Sequence, residues 1–204
     1  MAKVEKEQLV RFTVCDDVVE PAVADAIEQA MTSPGFPWFF YKNVNYISRP
    51  PEDRPGAFPA DPRFEDSFGF SSLLFPGNEP NSPWLEHPRR IFESFVKRHG
   101  LTPTQMIRIK ANMLVRSAAP GGPRPFTPHV DLPNPHWVLI YYVNDSDGDT
   151  VILDKTFPDW ENAAILHSVS PKKGRAILFD GRHYHCGTSP ARHDVRIVLN
   201  YDFN

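Results

Sequence analysis

The 204-residue sequence is short of several features that would each have named a class of protein. It has only two cysteines, Cys15 and Cys186, too far apart for a disulfide framework. No apolar run approaches the ~20 residues that a membrane span requires. No stripe dense in Lys and Arg is present, and 22 basic residues against 25 acidic ones leave a net charge of −3. That balance excludes the electrostatic footprint of a nucleic-acid binder. The opening residues, MAKVEKEQLVRF, are charged where a secretory signal is apolar. No internal repeat at a fixed period is evident. The expectation is a soluble, cytoplasmic protein with neither nucleic acid nor membrane as partner, a monomer or a homodimer.

Proline, by contrast, is abundant. The 22 prolines are about twice average usage and cluster at 34–62, 76–88 and 120–135. Aromatic residues are interleaved with them, among them Phe36, Trp38, Phe39, Phe40, Phe58, Phe64, Phe68 and Phe70. Such segments carry enough apolar surface to pack, which predicts ordered but irregular structure with one mobile loop near 48–62.

Residues 20–31 (EPAVADAIEQAM) predict a helix, with Pro21 in its first turn and Val23, Ile27 and Ala30 on one face. Residues 83–99 predict a second, starting near Pro88 and closed by Gly100. From 105 onward no helical period appears. Segments 105–116, 136–144, 149–153, 175–180 and 195–203 are β-rich runs separated by turn clusters. The Asp147-Gly148 pair between two of them is a strong hairpin signal. The pattern is mainly β: a double-stranded β-helix (a jelly-roll-like barrel) with N-terminal helices packed against it. One domain over 1–204 is expected, helical and loop-rich to residue 104 and carrying its β core over 105–204.

Within TPHVDLP, His129 and Asp131 stand two apart, so in an extended strand both project to one face. A distant histidine would complete a two-histidine, one-carboxylate set that leaves metal positions open, the arrangement of iron(II) oxygenases. The segment GRAILFDGRHYHCGTSP offers His183 and His185. His185 is the favoured ligand, because it lies 11 residues before Arg196 in the last strand, whereas the residue nine after His183 is Arg192, in a loop. Cys186 alternates to the other face.

Arg196 sits in an otherwise apolar strand, where a cation is costly without an anion. Its fork suits a carboxylate, either that of a ligand or that of an internal Asp. In the strand RIKANML, Arg108, Lys110 and Asn112 share a face that either lines a pocket or meets solvent; Asn112 is the candidate for a ligand's carboxylate.

The segments HVDLPN, YYVNDSDGDTVILD, VSPKKGRAILFDGRHYHCGTSP and RIVLNYDF together resemble the prolyl-4-hydroxylase-like branch of the iron(II)/2-oxoglutarate dioxygenases, over roughly residues 105–204. The resemblance implies an enzyme in which His129, Asp131 and His185 hold Fe(2+). Arg196 would then hold the distal carboxylate of 2-oxoglutarate, with Asn112 near its 1-carboxylate. It maps onto Tyr141 the tyrosine that donates to the distal carboxylate, although Tyr141 and Tyr142 alternate faces and only one can point inward. The implied reaction uses O2 to hydroxylate a small molecule, an amino acid or a peptidyl residue, releasing succinate and CO2. The alternatives are a silent β-helix binding protein and a cupin-type metal enzyme that does not use 2-oxoglutarate.

Overall fold

The computed structural model describes residues 12–42, 58–65, 68–77, 82–119 and 121–204. Among these, β1 (Phe12–Cys15) leads to helix α1 (Pro21–Thr32), then β2 (Phe39–Tyr41) and β3 (Gly69–Phe75). A 3-10 turn over Pro83–Leu85 runs into helix α2 (Glu86–His99). Seven strands follow: β4 (Met106–Val115), β5 (Trp137–Tyr142), β6 (Thr150–Thr156), β7 (Ile165–Val169), β8 (Ala176–Asp180), β9 (His183–Gly187) and β10 (Val195–Phe203). They form two antiparallel sheets, a main one in the order β1-β8-β5-β10-β4-β3-β2 and a small one in the order β7-β6-β9.

Both helices form where the sequence predicts them. Pro21 occupies the first turn of α1, and Ala24, Ile27 and Met31 are its buried face. Helix α2 starts at Glu86, two residues before the expected Pro88, because the 3-10 turn capped by Ser82 hands over directly to it. Gly100 ends it at φ 61°, a left-handed conformation suited to glycine, and Lys97, Arg98 and His99 complement the helix dipole in the last turn. No described helix is long and apolar enough to cross a membrane.

Three apolar layers result. The helices bury Ile27, Met31, Ile91 and Phe95 against Ile109, Leu139, Ile197 and Tyr201 on the outer face of the main sheet. Between the sheets lie Val138, Ile140, Tyr142, Ile177, Phe179 and Val198, facing Ile152 and Val169. On the far side of the small sheet, Val151, Leu153, Tyr184 and Cys186 pack with Phe58, Phe64 and Phe126. The proline-rich aromatic stretch is thus in part a cover for that sheet. Most of the loop expected near 48–62 lies outside the described residues.

Two expectations need correction. The N-terminal part is not only helices and loops: β1, β2 and β3 complete the main sheet at its two edges. These strands are short or twisted into irregular register, so a period-two pattern has little length in which to appear. Asp147-Gly148 is not a hairpin turn either. β5 and β6 lie in different sheets, and the segment between them crosses from one to the other. Asp147 instead accepts backbone N–H groups of Ala191, Arg192 and His193. Gly148 is required by close approach, since a Cβ there would lie 2.2 Å from the carbonyl oxygen of Thr188.

Candidate metal centre

The two sheets bring His129, Asp131 and His185 together, with one ligand atom from each lying within 4.8 Å of the others. The bringing together is done by backbone. His129 N–H donates to the His185 carbonyl at 3.0 Å and His185 N–H donates to the His129 carbonyl at 2.9 Å, a reciprocal bridge that fixes the HVD segment beside β9. His183 is outside the cluster, its Nδ1 being 2.8 Å from the Leu153 carbonyl oxygen.

The donor atoms suit a cation. His185 Nδ1 lies 3.0 Å from the His183 carbonyl oxygen, so it carries the proton and leaves the Nε2 lone pair facing the cluster. Nε2 is buried, makes no hydrogen bond, and sits 3.3 Å from Asp131 Oδ2. A lone pair facing a carboxylate at that distance is unfavourable unless a proton or a metal ion lies between them. His129 Nε2 is 4.0 Å from Asp131 Oδ1. Burial, reinforced by His185, pushes His129 down to about 3, so it is neutral and able to ligate near pH 7. Burial opposes charge on His185 too, but the close approach and negative charge of Asp131 prevail and raise it.

Asp131 is itself held. Arg108 Nη2 donates to its Oδ1 at 2.5 Å and Asn200 Nδ2 to its Oδ2 at 3.0 Å. The same Arg108 nitrogen is 2.6 Å from Oδ2 of Asp202, a carboxylate with no solvent exposure. Burial works against both carboxylates, and the two repel each other. The result is uneven: Arg108 and the histidines keep Asp131 well below the usual range, while Asp202 is raised.

From this cluster a cavity runs between the sheets, lined among others by Asn112, Phe126, Ile140, Thr150, Val198 and, at its far end, Arg196. Lys110 and Asn200 also face it, so the polar row of β4 lines a pocket and is not a solvated face. Arg196 is only 3 % exposed. Its Nε donates to the Gly148 carbonyl at 2.7 Å and its Nη2 to Thr150 Oγ1 at 2.6 Å, over the ring of Tyr142. Among the described residues no carboxylate forms an ion pair with it, which removes the internal-Asp alternative. Thr150 Oγ1 also accepts from Tyr142 Oη at 2.7 Å, so the threonine hydroxyl retains its proton for an acceptor in the cavity.

Tyr141 is the sequence expectation that the geometry overturns. It lies in the layer between the main sheet and the helices, with its hydroxyl buried there and without a hydrogen bond. Strand alternation turns Tyr142 inward in its place. Thr150, Asn200 and the bridging role of Arg108 were not foreseen. Asn200 and Asp202 do stand two and four residues after Val198 on the inward face of β10, and that spacing was the available signal.

The architecture is the double-stranded β-helix found in solved iron(II)/2-oxoglutarate oxygenases. A prolyl hydroxylase from Trichoplax adhaerens, solved with a peptide fragment of hypoxia inducible factor, aligns 86 % of its chain with 98 % of this one, at 13 % identity and a TM-score of 0.59. A Pseudomonas putida prolyl-4-hydroxylase aligns 97 % of its chain with 100 % of this one, at 12 % identity and a TM-score of 0.55. SnoK, a carbocyclase of nogalamycin biosynthesis dependent on α-ketoglutarate, gives 82 %, 99 %, 9 % and 0.62 for the same quantities. No family model and no curated relative matches the sequence. The structural likeness therefore covers nearly the whole chain, not only the second half that carries the motifs.

Proposed function

We propose that this protein is an iron(II)- and 2-oxoglutarate-dependent dioxygenase that oxidises a C–H bond of its substrate. One observation carries the reading: a buried His-Asp-His set opens into a cavity whose other end is a buried arginine without a carboxylate partner. His129, Asp131 and His185 would hold the iron, a two-histidine, one-carboxylate donor set that leaves further positions open. Bound there, iron(II) with 2-oxoglutarate and O2 supplies the oxidising chemistry, releasing succinate and CO2.

The protein's own groups provide position and dryness. Arg196 and the Thr150 hydroxyl hold the distal carboxylate of 2-oxoglutarate, and Asn112, whose amide can donate through Nδ2, lines the cavity toward the 1-carboxylate end. Arg108 and Asn200 fix the Asp131 carboxylate, and the His183 carbonyl fixes the His185 tautomer; such outer contacts govern metal affinity. Ile140, Leu114, Phe126 and Val198 keep the cavity apolar between these points. Prolyl hydroxylases share the fold, but fold does not select a substrate, and proline has no special claim here.

Anaerobic addition of 2-oxoglutarate to the iron(II)-loaded protein should produce the weak visible charge-transfer absorption of a chelated 2-oxo acid. Asp131→Ala should abolish it. Tight iron binding with no spectral response to 2-oxoglutarate would favour a cupin-type enzyme, and no iron binding at all would favour a silent binding protein.

A further inference from the structure

A glycine at a paired strand position has no side chain to pack, and it weakens the strand unless something needs the room. Gly187 ends β9 at such a position, paired with Thr150 on β6. Its φ is outside the left-handed region, so the backbone does not require glycine there. Directly paired residues of antiparallel strands point to the same face, so any side chain at 187 would share a face with the Thr150 hydroxyl. Both residues line the Arg196 end of the cavity. A Cβ at 187 would lie 3.3 Å from Arg196 Nη1, 3.6 Å from its Cζ and 3.3 Å from Leu114 Cδ1.

Little around that position can give way. The Arg196 guanidinium is pinned through Nε to the Gly148 carbonyl at 2.7 Å and through Nη2 to Thr150 Oγ1 at 2.6 Å. Leu114 is buried. The backbone of 187 is held from both sides, by the pairing with Thr150 and by its carbonyl, which accepts the Phe126 N–H at 2.9 Å. A guanidinium carries five N–H groups in a fixed plane. Nη1, which neither of those side-chain bonds uses, is the nitrogen turned toward Gly187. The absent side chain is therefore an open approach to Nη1.

On the dioxygenase reading, we propose that Gly187 is a specificity-determining residue, which keeps Arg196 Nη1 open to the distal carboxylate of a dicarboxylic 2-oxo acid. The carboxylate occupies the space over the glycine, within reach of Nη1 and of the Thr150 hydroxyl. A Cβ at 187 takes that space, and a 2-oxo acid is then bound by its metal-chelating end alone. The arginine supplies the attraction and the glycine supplies the access. Without the access, 2-oxoglutarate has no advantage over a 2-oxo acid that ends in a methyl group.

The test titrates 2-oxoglutarate and 2-oxopentanoate into nickel(II)-loaded protein by calorimetry. The two ligands have the same chain length and the same chelating end, and differ in a carboxylate or a methyl group at C5. Wild type should prefer 2-oxoglutarate at least tenfold, about 1.4 kcal/mol. Gly187→Ala should lose most of that preference, with nickel and 2-oxopentanoate affinities within about threefold of wild type. A second variant, Gly187→Ala with Leu114→Val, removes the crowding at Leu114 Cδ1 and keeps the Cβ beside Nη1; it should show the same selective loss. In an Arg196→Ala background, Gly187→Ala should weaken 2-oxoglutarate no further.

The proposal is overturned if Gly187→Ala keeps the preference, or if it weakens both ligands equally. Recovery of 2-oxoglutarate binding in the Leu114→Val double variant would also overturn it, because crowding of the core would then be the cause. So would loss of nickel binding in both variants, which would place the effect at the metal end, or an additive loss in the Arg196→Ala background. Failure of the wild-type protein to bind 2-oxoglutarate would be a separate result, against the dioxygenase reading itself.

Discussion

Replacing Arg196 by Ala separates a ligand-binding role from a structural one, because the structure lets both costs be weighed. In the free protein the change removes two hydrogen bonds, to the Gly148 carbonyl at 2.7 Å and to Thr150 Oγ1 at 2.6 Å. Bonds from a charged donor contribute about 1.5–3 kcal/mol each. The change also removes a buried charge that lacks a carboxylate partner, and the desolvation of such an ion costs several kcal/mol. The two effects oppose each other, so the unliganded variant should remain folded with modest loss of stability. With 2-oxoglutarate the balance shifts, since truncating one member of a buried charge pair costs about 2–5 kcal/mol. At about 1.4 kcal/mol per decade, that weakens cosubstrate binding by roughly 30-fold to a few thousandfold. Arg196→Lys should recover only part of this, because an ammonium cannot reproduce the two-pronged donor. Calorimetric titration of 2-oxoglutarate into the nickel(II)-loaded variants, with near-UV circular dichroism as a check on folding, measures the effect. A folded Arg196→Ala variant with affinity within about threefold of wild type, or one that loses the metal while keeping 2-oxoglutarate affinity, would refute the assignment.

His185→Ala should lose metal affinity by far more than His183→Ala, because only His185 shares the cluster with Asp131; competition against a chelator compares them, and the reverse order would transfer the role. Arg108→Leu should lower stability by about 3–5 kcal/mol, since it strands the fully buried Asp202, and Asp202→Asn in that background should restore much of the loss in a urea melt. Gly148→Ala should cost about 1–3 kcal/mol or more by overpacking against the Thr188 carbonyl, and an unchanged melting temperature would mean the crossover segment is not so constrained. Asp16 is held down to about 2, chiefly by the hydrogen bond from Arg175 and then by Lys172, against the opposing effect of burial. A carboxyl lowered on folding stabilises above its unfolded value near 4 and loses that contribution as pH falls toward 2. Asp16→Asn should therefore flatten the acid limb of the stability curve and lower stability at pH 7; an unaltered limb would exclude this ion pair as a contributor.

What the sequence determined by itself is local. Two-residue spacing implied that His129 and Asp131 share one face, as alternate residues of extended chain do, and they do meet, although the segment forms only a single bridge and no strand. The 3.6-residue period marked both helices, and an arginine among β-branched and apolar residues marked a cation in β10 that the fold buries. These signals depend only on neighbours in the chain. Three things were decided by tertiary structure. One is the backbone bridge that sets His185 beside His129 across 56 residues; the spacing to Arg196 favoured His185 over His183 in the sequence, but no local pattern encodes that contact. Tyr142 over Tyr141 follows from which face of β5 meets the small sheet and which meets the helices; both faces are apolar, so alternation without an anchor carries no sign. The Arg108 bridge between Asp131 and Asp202 joins three segments far apart in sequence. Gly148 illustrates the same limit. Asp-Gly carries a hairpin signal in any sequence, but here the chain leaves one sheet for the other, and the missing Cβ is explained by a carbonyl 40 residues away that only the folded chain brings near.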